Sequence, residues 1–245
     1  MKITYISHSG VLVEHGGAAF LFDYFDGELP DIPENERLVV FCSHFHADHF
    51  NPAIFDIFGG REGVTFVLSG DIRRKIAAVG RKKGISAEIL NKIVYMKAGE
   101  LFVLQITNER SVRIETLLST DEGVAFAVTY KGRRIYHAGD LNLWVWEDNA
   151  PDYDKWMRGM YKSQIEKLKG KRIDIAFLPV DGRLGSRAFE GADMFMRQNE
   201  VIKMCPIHMG GDFEIVRKFI ENDVSEPYRD RILDVSHACA VFEID

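Results

Sequence analysis

Residues 38–50 read Leu-Val-Val-Phe-Cys-Ser-His-Phe-His-Ala-Asp-His-Phe, an apolar run that closes on His44-x-His46-x-Asp48-His49. The run Leu38 to Cys42 predicts a buried strand, and Pro52 suits the first turn of a helix over residues 51–58. In an extended loop, alternate side chains face one way, so His44 and His46 can share one cation. Asp48 and His49 then lie at the turn into the helix and can point to a neighbouring position. Three imidazoles and a carboxylate suit zinc and also tolerate manganese or iron. The bland alternative is a polar loop that happens to be rich in histidine. Chance predicts about 6 × 10⁻⁴ such patterns in a chain of this composition, which favours the metal reading.

Working outward, the chain has 245 residues, 46% of them hydrophobic and 28% charged, enough for a sizeable core in one folded domain spanning 1–245. A net charge of −6 argues against a nucleic-acid or anionic-membrane partner. No apolar run approaches the ~18 residues of a membrane span, and the N-terminal segment lacks the pattern of a secretory signal. Cys42, Cys205 and Cys239 are too few and too widely spaced for a disulfide framework. A cytoplasmic protein acting on a small molecule is the expectation; the sequence is silent on oligomeric state.

Short strands are expected at Ile3 to Ser7, Val11 to His15 and Ala19 to Asp23, then a Pro- and acid-rich loop from Asp26 to Glu36. Helices are expected from Asp71 to Lys83 and from Ser86, as a cap, to Ile93. Strand patterns return over 94–138, with a turn at Lys131-Gly132. A helix over Asp152 to Leu168 precedes buried strands Ile173 to Val180 and Val201 to Ile207. A helix Asp212 to Asn222 and a strand within Ile232 to Ile244 complete the chain. Asp140 follows the strand that starts at Arg134, and His208 follows Val201 to Ile207. Three apolar strands thus end in possible ligands, and in an α/β sheet such ends gather at one edge. The reading is an α/β domain.

The segments ITYISHSGVLVE, LFDYF, SHFHADHF, IYHAGDLN, FLPVDGR and CPIHMGG occur in this order. Together they resemble the metallo-β-lactamase-fold hydrolase superfamily, most closely its ascorbate-6-phosphate lactonase-like branch. That resemblance implies a four-layer αββα sandwich with a metal site between the sheet edges. It implies that His44, His46, Asp48 and His49 supply the first ligands, that Asp140 bridges two cations, and that His208 completes the second position. Asp23 matches an acidic residue that supports the site from behind. The family's histidine before the strand leading to Gly-Asp is missing; Ser119 stands in its place and Asp121 is near enough to compete. A hydroxyl is a poor substitute for imidazole. The first position is therefore expected to be weakened, with one or two ions per chain.

Other residues carry open readings. His8, in Ser7-His8-Ser9-Gly10, is either a ligand or substrate contact or a structural turn histidine. His15 reads as a solvent-facing strand residue, His137 as a packed strand histidine, and His237 carries no motif. Arg183 follows a strand end and reads equally as a clamp for an anionic group or as a surface salt bridge. Trp144, Trp146, Tyr153 and Trp156 suggest an aromatic wall, although helix packing also accounts for Trp156. The run Arg73, Arg74, Lys75, Arg81, Lys82, Lys83 reads as a solvated helix face.

The expected function is metal-dependent hydrolysis of an ester, lactone or phosphoester. A divalent ion lowers the pKa of its bound water from 15.7 to about 7 and supplies hydroxide. Asp48 and Asp140 are the candidate catalytic carboxylates. The alternative is a metal-binding or sensing protein of the same fold without turnover.

Overall fold

Two β-sheets face one another in a computed structural model that describes residues 1–76 and 85–245. The first sheet has seven strands: β1 (Lys2–Ser7), β2 (Gly10–His15), β3 (Ala18–Phe22), β4 (Arg37–Cys42), β5 (Val64–Ser69), β6 (Ile93–Met96) and β13 (Val241–Glu243), ordered β13-β1-β2-β3-β4-β5-β6. The second has six: β7 (Leu101–Thr107), β8 (Arg110–Leu118), β9 (Val124–Tyr130), β10 (Arg133–His137), β11 (Ile173–Pro179) and β12 (Val201–Ile207), ordered β12-β11-β10-β9-β8-β7.

Strand β4 shows why the layers form. Val39 and Phe41 point into the core between the sheets, while Leu38, Val40 and Cys42 point to a second core under helix Ala53–Phe58. Both faces are covered, so β3 and β4 read as continuous apolar runs rather than as alternation. On the second sheet, Met157, Tyr161 and Ile165 of helix Pro151–Ile165 join the same core as Phe195 of helix Glu190–Gln198 and Phe219 of helix Glu214–Glu221. Helix, sheet, sheet and helix make the expected αββα sandwich.

The strands that carry chemistry are parallel: β3 with β4, and β10 with β11 and β12. Their carboxyl ends therefore face one edge, where Asp23, Ser43, Asp140, Asp181 and His208 follow. Pro206 inside β12 is tolerated because β12 is an edge strand.

Several expected boundaries change. The helix expected from Ser86 to Ile93 is a short turn, Ala87–Leu90, with the Ser86 hydroxyl accepting from the Ile89 N–H; Ile93 already belongs to β6. Only Val241–Glu243 of the expected C-terminal strand pairs regularly, with β1, apart from a single bridge between Ile232 and Met204. Of the helix expected over Asp71 to Lys83, residues 72–76 are helical, and 77–84, with Arg81, Lys82 and Lys83, lie outside the described residues. Arg73, Arg74 and Lys75 are exposed as expected, but Lys75 also lies 3.7 Å over the Phe45 ring and Asp71 accepts the Phe45 N–H at 2.9 Å. This segment buttresses the histidine loop. Among the described residues no helix is long and apolar enough to cross a membrane.

Candidate metal centre

The histidine loop is held from below by Asp23. Its Oδ1 accepts the Ser43 N–H at 2.7 Å, and its Oδ2 accepts the Ser43 hydroxyl at 2.6 Å and His49 Nδ1 at 2.8 Å. The Ser43 hydroxyl has one proton and gives it to Asp23. Its oxygen therefore accepts from His44 Nδ1, 3.0 Å away. His208 Nδ1 donates to Asp181 at 3.0 Å. Each imidazole is thereby fixed with its Nε2 turned to a common space, the arrangement that orients metal-ligating histidines.

Asp140 stands between them. Its Oδ1 is 3.1 Å from His49 Nε2 and 3.4 Å from His208 Nε2, while its Oδ2 is 3.4 Å from His44 Nε2. Two donor groups result: His44, His46 and Asp140, and His8, Asp48, His49 and His208. Within each group the donor atoms lie within 4.8 Å of one another. His44 Nε2, His49 Nε2 and Asp140 Oδ1 are buried without a well-formed hydrogen bond. Buried polar atoms are rarely left so, and orphans that converge are what cations would satisfy. The residues present fit divalent ions.

Without a cation the charges compensate one another. Burial pulls His49 down, but the Asp140 and Asp23 carboxylates outweigh it and raise its pKa from its ordinary 6.5 to about 10. Burial pushes Asp140 up, yet the facing histidines hold it below the usual carboxylate range. His8 does the same for Asp48. A metal ligand must present a neutral nitrogen, so cation uptake at neutral pH expels the His49 proton. The raised folded value means that this proton stabilises the metal-free chain fully below pH 6.5, and that the contribution fades as pH rises towards about 10. Calorimetric zinc titrations near pH 7.5, in buffers of different ionisation enthalpy, are expected to show about one proton released per first ion from this group. Zero net release would contradict the assignment.

Ser119 and Asp121 lie where the resemblance led one to expect a histidine ligand. Ser119 is buried, and its hydroxyl accepts the Asp121 N–H at 3.1 Å. Asp121 lines the pocket but belongs to neither donor group. The first group thus has three protein donors and the second has four, with Asp140 Oδ1 beside it.

Over the donors lies a cavity of about 340 Å³, bordered by His46, Asp48, Asp140 and His208 and walled by Trp144, Trp146, Tyr153 and Met157. Trp144 donates from Nε1 to the Asp140 carbonyl at 2.9 Å and stacks near Trp146, 6.4 Å between ring centroids. Trp156 is not part of this wall, nor is it a packing residue; it is 54% exposed beside Tyr153. Arg183 forms the expected ion pair, its Nε and Nη2 gripping Asp181, and its side chain also lines the cavity. His137 is packed between Phe22 and Phe177, as expected, and donates from Nε2 to the Ser9 carbonyl. His15 departs from expectation; it is half-buried, with its ring 6.2 Å from that of Tyr130. His237 is exposed, away from the site.

Asp181, Ser43 and Gly123 were not singled out by sequence. Asp181 follows β11 as Asp140 and His208 follow their strands, and that shared place at a strand end is the signal in the sequence that marks it. Gly123 (φ +69°) lies under the histidine loop, where a Cβ would overlap the Ser43 carbonyl oxygen and stand 2.6 Å from the His44 Cβ. Gly123→Ala is expected to cost about 2–4 kcal/mol, from overpacking plus the left-handed backbone. A melting temperature within a degree or two of the parent would refute this.

The family model described as "Beta-lactamase superfamily domain" matches residues 2–149, more than half of the chain. A metal-dependent hydrolase of Methanospirillum hungatei is 28% identical over 240 residues, covering 92% of this chain and 88% of the relative. One of Heliobacterium modesticaldum is 26% identical over 192 residues, covering 76% and 73%. Among solved structures, Igni18, a metallo hydrolase from Ignicoccus hospitalis, superposes with a TM-score of 0.66 at 18% identity, covering 100% of this chain and 99% of its own. CmlA, a diiron β-hydroxylase from Streptomyces venezuelae, gives 0.67 at 14%, covering 99% of this chain and 54% of its own. From the extent of the family match and the two-sheet sandwich with its ligand-rich edge, the chain belongs to the beta-lactamase superfamily and has the metallo-β-lactamase fold.

Proposed function

We propose that the protein is a metal-dependent hydrolase of a small molecule carrying an ester, lactone or phosphoester. The observation that carries this reading is the Asp140 carboxylate, whose two oxygens face two separate sets of imidazole nitrogens. His44, His46 and Asp140 would hold one ion; Asp48, His49 and His208 would hold the other, with Asp140 between them. Zinc suits this nitrogen- and oxygen-rich set, with manganese or iron as alternatives. Such ions, when bound, supply hydroxide at neutral pH and polarise the oxygen under attack.

The chain's own residues do the rest. Asp48, with its side chain 48% exposed at the cavity, is placed to accept and return a proton at its carboxylate. Trp144, Trp146 and Tyr153 exclude water and offer flat faces to a substrate ring. Arg183 is the cationic side chain among the cavity's lining residues, and 67% of it is exposed, so it suits an anionic group on the substrate. A cavity of about 340 Å³ is at the small end of ligand sites, which favours a compact substrate over a polymer.

The test is a chelator-stripped protein assayed on lactone, carboxylic ester and phosphodiester substrates, with zinc, manganese or iron(II) added back. Activity that disappears on stripping and returns with one metal supports the proposal. A second reading, a metal-binding protein without turnover, draws on Ser119 in place of the histidine. Full metal loading with no turnover on any panel would favour it.

A further inference from the structure

We infer that His8 is a fifth protein donor to the second cation position, joining Asp48, His49, His208 and Asp140; this rests on the metal reading above. Four observations converge on this turn between β1 and β2. His8 Nε2 is 3.3 Å from Asp48 Oδ2, yet it is buried and lacks hydrogen-bond geometry. Its ring lies 4.2 Å from that of His208 and 5.6 Å from that of His49. Its carbonyl accepts the His208 N–H at 2.9 Å, which ties the turn to the end of β12. Its backbone is left-handed, at φ +49°, as are those of Asp23 and His208 beside it.

A plain turn residue explains none of this. Glycine would take the left-handed backbone more readily than histidine. An ordinary His–Asp pair would aim an N–H at the carboxylate, and here the geometry does not. Two donors each about 2.0–2.2 Å from one zinc ion stand roughly 3.0 Å apart at a right angle and roughly 3.4 Å apart at a tetrahedral angle, the range open to a five-donor set. The His8–Asp48 separation falls in that range, as do the separations of Asp140 from His49 and His208. The donor count is therefore uneven. Ser119 depletes the first position, while His8 enriches the second, so the tightly held ion belongs to the second.

The test uses the full chain, stripped and then titrated with zinc against a chromophoric chelator, and with cobalt(II) followed by visible absorption. In His8→Gln, affinity for the first zinc equivalent is expected to fall by about 100-fold, at or above the range for residues that merely orient ligands. The cobalt bands are expected to shift as one nitrogen leaves. His8→Asn, which suits the left-handed backbone, guards against a folding failure. In an Asp48→Asn background, a further loss of about 10-fold on adding His8→Gln is expected if His8 binds the ion itself. No further loss there, or unchanged zinc affinity and cobalt bands in His8→Gln, would overturn the inference. Failure of the parent chain to bind zinc at all would overturn the metal reading with it.

Discussion

His49→Ala is expected to remove the second cation and to lower any hydrolytic activity by more than 100-fold. This residue faces two buried carboxylates, through Nδ1 to Asp23 at 2.8 Å and through Nε2 to Asp140 at 3.1 Å, the closest such pair at the site. Loss of orienting partners alone typically costs 10–100-fold in metal affinity or activity, and loss of a ligand exceeds that. The same change leaves Asp23 and Asp140 without their shared cation in the stripped chain. Breaking a buried charge pair costs about 3–5 kcal/mol, so the stripped variant should melt well below the stripped parent. Elemental analysis of metal content, beside the melting curve, checks both parts. Full metal content and unchanged activity in the variant would mean that His49 is not a ligand.

Asp23→Asn should have nearly as large an effect without touching the cation. Asparagine accepts the left-handed backbone found here, φ +43°. Its carbonyl can still receive the Ser43 N–H, but its amide group would then face two donors, the Ser43 hydroxyl and His49 Nδ1. Hydrogen bonds to a charged acceptor are worth about 1.5–3 kcal/mol each. The expected loss is about 2–4 kcal/mol of stability and 10–100-fold in zinc affinity. The affinity loss would come from His44 as well as His49, since Ser43 relays Asp23 to His44 Nδ1. A zinc titration indistinguishable from the parent's would exclude this supporting role.

How much was legible beforehand follows from the range of each interaction. Short apolar strands and the spacing of His44, His46, Asp48 and His49 are local patterns, and the strands β1 to β4 fall within a residue or two of expectation. The tail from Ile232 is apolar enough to suggest a strand, but its partner is β1, at the other end of the chain, and only three residues pair. Asp181 escaped notice because one carboxylate after one strand is unremarkable until the parallel pairing of β10, β11 and β12 lines the ends up. His15 reads as solvent-facing in the sequence, but it is half-buried with the ring of Tyr130 from the opposite sheet 6.2 Å away.

His8 separates the two kinds of knowledge. Sequence alone determined an α/β chain and a ligand-bearing loop, because strand periodicity and ligand spacing act over a few residues. It also revealed that a histidine was absent near Ser119. Only the tertiary structure decided which atoms share a space: that Asp140 faces both sets of imidazoles, that Asp23 and Asp181 fix the opposite nitrogens, and that His8 comes within 3.3 Å of Asp48 across 40 positions of chain. Such a centre is assembled by sheet register and strand direction, which are set by the burial of both sheets and not by the neighbours of any one residue.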